Sequence, residues 1–222
     1  VDAFWIIAGI DAIACCAMLV VCGIIGYNFY QTPVSYISID VNPSLELALN
    51  RLDRVINVTA YNDDGAQILQ NLNLINKPYT QAVELLLADK PFENYLSGDS
   101  LLSFTVVSKM EEKLLLGIQQ CSGYAENRAT CHGANAELID EAHSKGLSFG
   151  KYQAYLALAE YDKSITPEDC RQLSMRQIRD RINQYAEDES TKQTPAENGG
   201  NQGNGKGHGN GYHGGNHHKN KN

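Results

Sequence analysis

The dipeptide Asn42-Pro43 carries the most distinctive chemistry in this chain. At most Asn–X bonds the next backbone nitrogen attacks the Asn side chain, and deamidation follows. Pro43 has no N–H, so that route is closed. The Asn42 amide nitrogen can instead attack its own backbone carbonyl, close a cyclic imide and expel Pro43 as a free amine. An X–Pro tertiary amide twists more easily than an ordinary peptide bond, and a turn holding it off planarity lowers the barrier. Asp40 and Ser44 flank the bond and are the candidate supports, bonding either the Asn42 amide or the developing tetrahedral oxygen. The competing reading is an inert turn, which is what most Asn-Pro pairs are.

Two short strands must hold this turn. Ile37, Ile39 and Val41 alternate with polar residues, and Leu45, Leu47 and Leu49 do so again, the period of half-buried strands. A third strand at 55–61 completes an antiparallel meander. Asn62-Asp63-Asp64-Gly65 reads as a turn, with a helix following at 66–72. Thr80 is expected to cap a helix over 81–88, and residues 101–107 form a fourth, more buried strand. Ser108 and Glu111 have capping-box spacing for a helix to about 120. Residues 124–131 are a fifth strand or irregular. Helices follow at 134–144, where His143 is expected on the surface, at 148–162, from Thr166-Pro167, and from Ser174 to about 185. The fold class is α/β: a strand meander with packed helices in a sandwich, ending in a helical lobe.

The run from Tyr36 to Leu47, continued by Asn50, 55–58 and Asn62-Asp63-Asp64-Gly65, resembles the extracytoplasmic domain of bacterial membrane-bound anti-sigma factors of the RsgI type. Weaker echoes occur at Ala82-Val83 and at 148–152. The resemblance covers roughly residues 34–186. It implies spontaneous cleavage between Asn42 and Pro43, with the two pieces remaining associated. It also implies a sigma factor partner, held by a small cytoplasmic domain that residues 1–222 do not contain. Loss of the C-terminal piece would then expose a membrane-bound stub to site-1 type and intramembrane proteases, freeing the sigma factor. Chemistry that turns over once does not make an enzyme in the usual sense.

Residues 3–26 read as a transmembrane helix: an apolar run of about 23 residues at 1.5 Å each reaches about 35 Å, enough for a hydrocarbon core of about 30 Å. Trp5, Tyr27 and Tyr30 suit its interfaces. No lysine or arginine occurs between this run and Arg51, so the C-terminal side is expected outside a bacterial plasma membrane, with a single pass. Asp11 within the run is either a partner-helix contact or a tolerated neutral acid. Valine at position 1 suggests a fragment of a longer protein. Residues 27–33 are expected to be a linker, 34–190 the extracytoplasmic α/β domain and 191–222 a disordered tail.

The formal net charge is −8, which argues against nucleic acid as a direct ligand. No cofactor or metal site is expected in the domain. Cys121 and Cys131 lie ten apart, where a local disulfide is one option. The tail from Pro195 holds nine glycines, seven asparagines and four histidines, a composition that buries no core. It reads as a spacer reaching towards the cell wall or another extracellular ligand, with loose metal binding by His208, His213, His217 and His218 as the rival. The alternative to signalling is a membrane-anchored binding or cell-wall module with an uncleaved turn.

Overall fold

The computed structural model describes the backbone of residues 2–127 and 129–193, and side chains within 15–188. The elements in chain order are α1 (Asp2–Gln31), β1 (Ser35–Asp40), β2 (Ser44–Leu49), β3 (Val55–Ala60), α2 (Asp63–Leu69), α3 (Tyr79–Leu87), α4 (Lys90–Glu93) and β4 (Ser103–Ser108). They continue with α5 (Glu111–Gln119), α6 (Ser122–Glu126), β5 (Thr130–Gly133), α7 (Ile139–Ser144), α8 (Phe149–Tyr161), α9 (Pro167–Gln172) and α10 (Met175–Gln193). The strands make one five-stranded sheet in the order β3-β2-β1-β4-β5. β1 is the central strand, antiparallel to β2 on one side and to β4 on the other, while β5 runs parallel to β4.

Period-2 alternation gives the sheet two unlike faces. Ile37, Ile39, Leu45, Leu47, Leu49, Phe104 and Val106 are fully buried on one of them, under Ile68, Ala82, Val83, Leu86, Leu114 and Ile118 of α2, α3 and α5. The opposite face carries Ser38, Asp40, Ser44, Glu46, Ser103 and Thr105, all buried although polar. α8 covers that face, and it can do so closely only because residue 150 is glycine. A Cβ there would sit 2.5 Å from Asp40 Oδ2, 2.8 Å from Thr105 Oγ1 and 2.9 Å from Ser38 Oγ. A separate apolar cluster, Leu158, Ile165, Cys170, Met175 and Ile178, joins α8, α9 and α10 into the C-terminal lobe.

Several expectations change in detail. The linker at 27–33 is mostly helix, because α1 runs on to Gln31. Asn28 Nδ2 donates to Ile24 O at 2.9 Å and Thr32 Oγ1 to Asn28 O at 2.7 Å, and Pro33 then disfavours helix at the residue before it. α3 begins at Tyr79 after Pro78, so Thr80 lies inside it and is not its cap. Ser108 Oγ accepts from the Met110 N–H at 2.9 Å, which ends β4 rather than capping α5 at Glu111. The region 124–131 divides into helix α6 and strand β5. Cys121, Cys131 and Cys170 are free thiols; Cys121 Sγ instead contacts the carbonyls of Gly117 and Thr80. Burial pushes the Cys121 thiol up to about 11 and that of Cys131 up to about 12.

The described side chains of α1 start at Cys15, and among the described residues no helix is long and apolar enough to cross a membrane. Met18, Leu19, Val20, Val21, Ile24 and Ile25 are each more than half exposed. The side chains of Trp5 and Asp11 and the histidine tail lie outside the described residues.

Candidate functional site

Asp40 and Ser44 form the last register pair of β1 and β2, and Val41, Asn42 and Pro43 close the hairpin between them. The Val41 N–H donates to Pro43 O at 3.0 Å across the loop. Pro43 is buried and Asn42 half-buried. Two residues of α2's N-terminal end hold the Asn42 side chain. Its Nδ2 donates to Asp64 Oδ2 at 3.3 Å, and its Oδ1 accepts from Asn62 Nδ2 at 3.4 Å. Both contacts are long for hydrogen bonds.

Each of these partners is itself fixed. Asn62 caps α2, its Oδ1 accepting from the Gly65 N–H at 2.9 Å, and the same oxygen accepts from the Ser44 N–H at 3.1 Å. Gly65 lets α2 approach the hairpin, since a Cβ there would lie 2.8 Å from Ser44 O. The second carboxylate oxygen of Asp64 accepts from Tyr95 OH at 2.8 Å. The stretch 62–65, expected as a plain turn, is therefore a helix start that delivers an amide and a carboxylate to Asn42. Its sequence signal was the Asn62 N-cap followed by two acids; that these would reach the Asn42-Pro43 loop depends on strand register.

Asp40 and Ser44 do not bond to the Asn42 side chain. They point to the polar face, where the fully buried Asp40 carboxylate accepts from Ser38 Oγ, Ser44 Oγ and, at 2.6 Å, Ser148 Oγ. Burial pushes the Asp40 carboxyl up, while these three hydroxyls and the charge of Lys151 pull it back. Lys151 is only 1% exposed, and its Nζ donates to Arg171 O at 3.1 Å. Burial lowers its pKa and Asp40 opposes that shift. The knot staples β1 to β2 and α8 from behind the loop.

His143 is not on the open helix surface. Its Nε2 lies 2.8 Å from Oε1 of buried Glu46, and its ring stacks on Tyr61 at 5.7 Å. The bond to Glu46 raises the His143 pKa above its ordinary 6.5, with burial opposing. A raised folded value means the pair stabilises fully below about 6.5 and is lost as pH rises through the higher folded value. His143→Phe keeps a stacked ring but loses the charge. The melting-temperature gap from the parent is expected to be larger at about pH 5.5 than at about pH 9; an equal gap would show that the pair does not titrate with folding.

The model of the anti-sigma factor RsgI-like central domain matches residues 34–157, more than half of the chain and the whole of the sheet. The chain belongs to this RsgI-like family. Anti-sigma-I factor RsgI7 of Acetivibrio thermocellus is 26% identical over 160 residues, covering 67% of this chain and 29% of that protein. RsgI9 of the same organism is 27% identical over 178 residues, covering 72% and 25%. Anti-sigma-I factor RsgI of Bacillus anthracis is 28% identical over 150 residues, covering 63% and 34%. The match therefore spans about a quarter to a third of these RsgI relatives' own lengths.

Proposed function

We propose that this RsgI-like chain is the transmembrane signalling segment of an anti-sigma factor, and that its domain cuts itself once at Asn42-Pro43. Asn42 Nδ2 attacks the Asn42 carbonyl carbon, and a tetrahedral centre forms. The bond to the Pro43 nitrogen breaks, and one proton passes from Nδ2 to that nitrogen. The products are a C-terminal cyclic imide on Asn42 and a free secondary amine on Pro43; water later opens the imide. Asp64, on the Nδ2 hydrogen, is placed to carry the proton, and Asn62 to orient the amide. Asp40 and Ser44 support the hairpin from behind. Attack within one residue benefits from effective molarities that reach about 10⁵–10⁸ M for well-aligned groups.

The observation that carries this reading is the placement of the Asn42 amide: it is pinned by Asn62 and Asp64 at a loop whose next residue is proline. A piece ending at Asn42 would keep α1 and the central strand β1. It would stay bound through six register pairs with β2 and six with β4, and through the Asp40 knot. The exposed apolar side chains of α1 would lie in lipid, and the lack of lysine or arginine between them and Arg51 supports a domain outside a bacterial plasma membrane. Removal of the C-terminal piece, by pull on the tail or by an extracellular ligand or cell wall, would uncover β1 for site-1 type and intramembrane proteases. A sigma factor is the cytoplasmic partner, bound by a part of the protein outside these residues.

Tags at the two ends test the reading. Capture by the C-terminal tag should bring down the N-terminal piece under native conditions and lose it in denaturant. Retention of the N-terminal tag in denaturant would mean an unbroken chain, and the membrane-anchored binding module would then be the better description.

A further inference from the structure

The carbonyl of Val41 is the last backbone acceptor before Asn42, and the hairpin offers it no ladder partner. It accepts instead from the backbone N–H of Met175 at 2.9 Å. Met175 opens α10, where an N–H has no partner inside the helix. The helix start is fixed independently of the hairpin. Ser174 Oγ accepts from the Gln177 N–H at 3.1 Å and the Ser174 N–H donates to Gln177 Oε1 at 2.8 Å, a capping box. The Met175 side chain is 5% exposed in the lobe's own cluster, and Lys151 ties the end of α9 to α8. Two rigid attachments therefore hold this N–H against Val41. The family match ends at residue 157, so α9 and α10 lie beyond it.

We propose that α10 belongs to the self-cleavage machinery, with the Met175 N–H as a positioning group for the Asn42–Pro43 bond. The inference rests on the reading of that bond as self-cleaving. The Val41 carbonyl and the Asn42 nitrogen share one rigid peptide plane. Anchoring the plane leaves fewer rotations to freeze before Nδ2 meets the carbonyl carbon, the bond to Pro43 breaks and the proton moves to the Pro43 nitrogen. The contact spans residues 41 and 175, so it exists only once the C-terminal lobe has docked. Cleavage is thereby reserved for a domain already complete enough to keep both pieces. A chain that cut itself earlier would release its membrane stub at once.

Proline is tolerated at the first helical position and lacks only the N–H, and the capping residue before it takes an extended conformation. Met175→Pro therefore deletes the contact while keeping α10. Met175→Ala loses the same side chain but keeps the N–H. Full-length chains are made by cell-free translation, and cleavage is followed by denaturing electrophoresis over time. Met175→Pro is expected to cleave at least tenfold more slowly than Met175→Ala, since the two share the loss of the methionine side chain and differ in the N–H. A second variant places the α-hydroxy acid analogue of methionine at position 175, exchanging only the N–H for oxygen, and should be slowed similarly with its thermal midpoint near the parent's. Equal rates for this ester variant and the parent would overturn the proposal. A parent chain that never cleaves would instead sink the reading beneath it.

Discussion

Asn42→Ala is expected to leave a single full-length chain under denaturing conditions, with cleavage reduced by at least a hundredfold. The attacking nitrogen, the carbonyl it attacks and the bond that breaks all involve residue 42, and alanine supplies no nitrogen. Asn62 and Asp64 cannot substitute, since neither presents a nucleophile one residue's ring closure from the Pro43 bond. The variant should fold: Asn42 is half-buried, its hydrogen bonds are long, and their loss is expected to cost about 1 kcal/mol or less. A fragment beginning at Pro43 that persisted in Asn42→Ala would point to a separate protease.

The second large effect is on how long the pieces stay together. Ile39 lies in β1, opposite Leu45 on one side and Phe104 on the other, and all three are fully buried. Ile39→Ala removes packing from the central strand of the sheet, which in a well-packed core costs about 2–5 kcal/mol. At 1.4 kcal/mol per factor of ten, the equilibrium between associated and separated pieces shifts roughly 30- to several-thousand-fold. The measurement is the urea concentration at which a C-terminal tag stops retaining the N-terminal piece. It should fall clearly in Ile39→Ala. An unchanged midpoint would mean that β1 is not what retains the stub.

Much of the architecture is legible because two signals agree. The alternation of Ile37, Ile39 and Val41 with that of Leu45, Leu47 and Leu49 defines one apolar face, and Asn42-Pro43 can only be the hairpin between them. The Thr166-Pro167 helix start also appears, with both capping-box bonds present. What the chain does not show locally is which long-range partners its polar residues find. Asp40 and Ser44 look like neighbours of the Asn42 side chain because they are two residues away. A strand's period of two would keep residue 42 on their face, but β1 ends at Asp40 and β2 begins at Ser44, so residues 41–43 leave the ladder: Asp40 and Ser44 face α8 while the Asn42 side chain turns to α2. The residues that do reach Asn42 are 20 and 22 positions later, placed by the docking of α2 on β2. His143 sits near a helix end and reads as surface; only the register of β2 reveals Glu46 beneath it. Lys151 lies near the start of the helix at 148–162, and no periodicity distinguishes a buried lysine from an exposed one.

The most direct test of the central claim is an intact-mass spectrum of the purified full chain, taken under denaturing conditions after folding. Self-cleavage gives two masses, one of them a fragment beginning at Pro43. Their sum equals the full chain while the imide is closed, and exceeds it by one water once the imide has opened. A single full-length mass after prolonged incubation would contradict the account, leaving Asn42-Pro43 an intact turn in a domain that shares the family's fold.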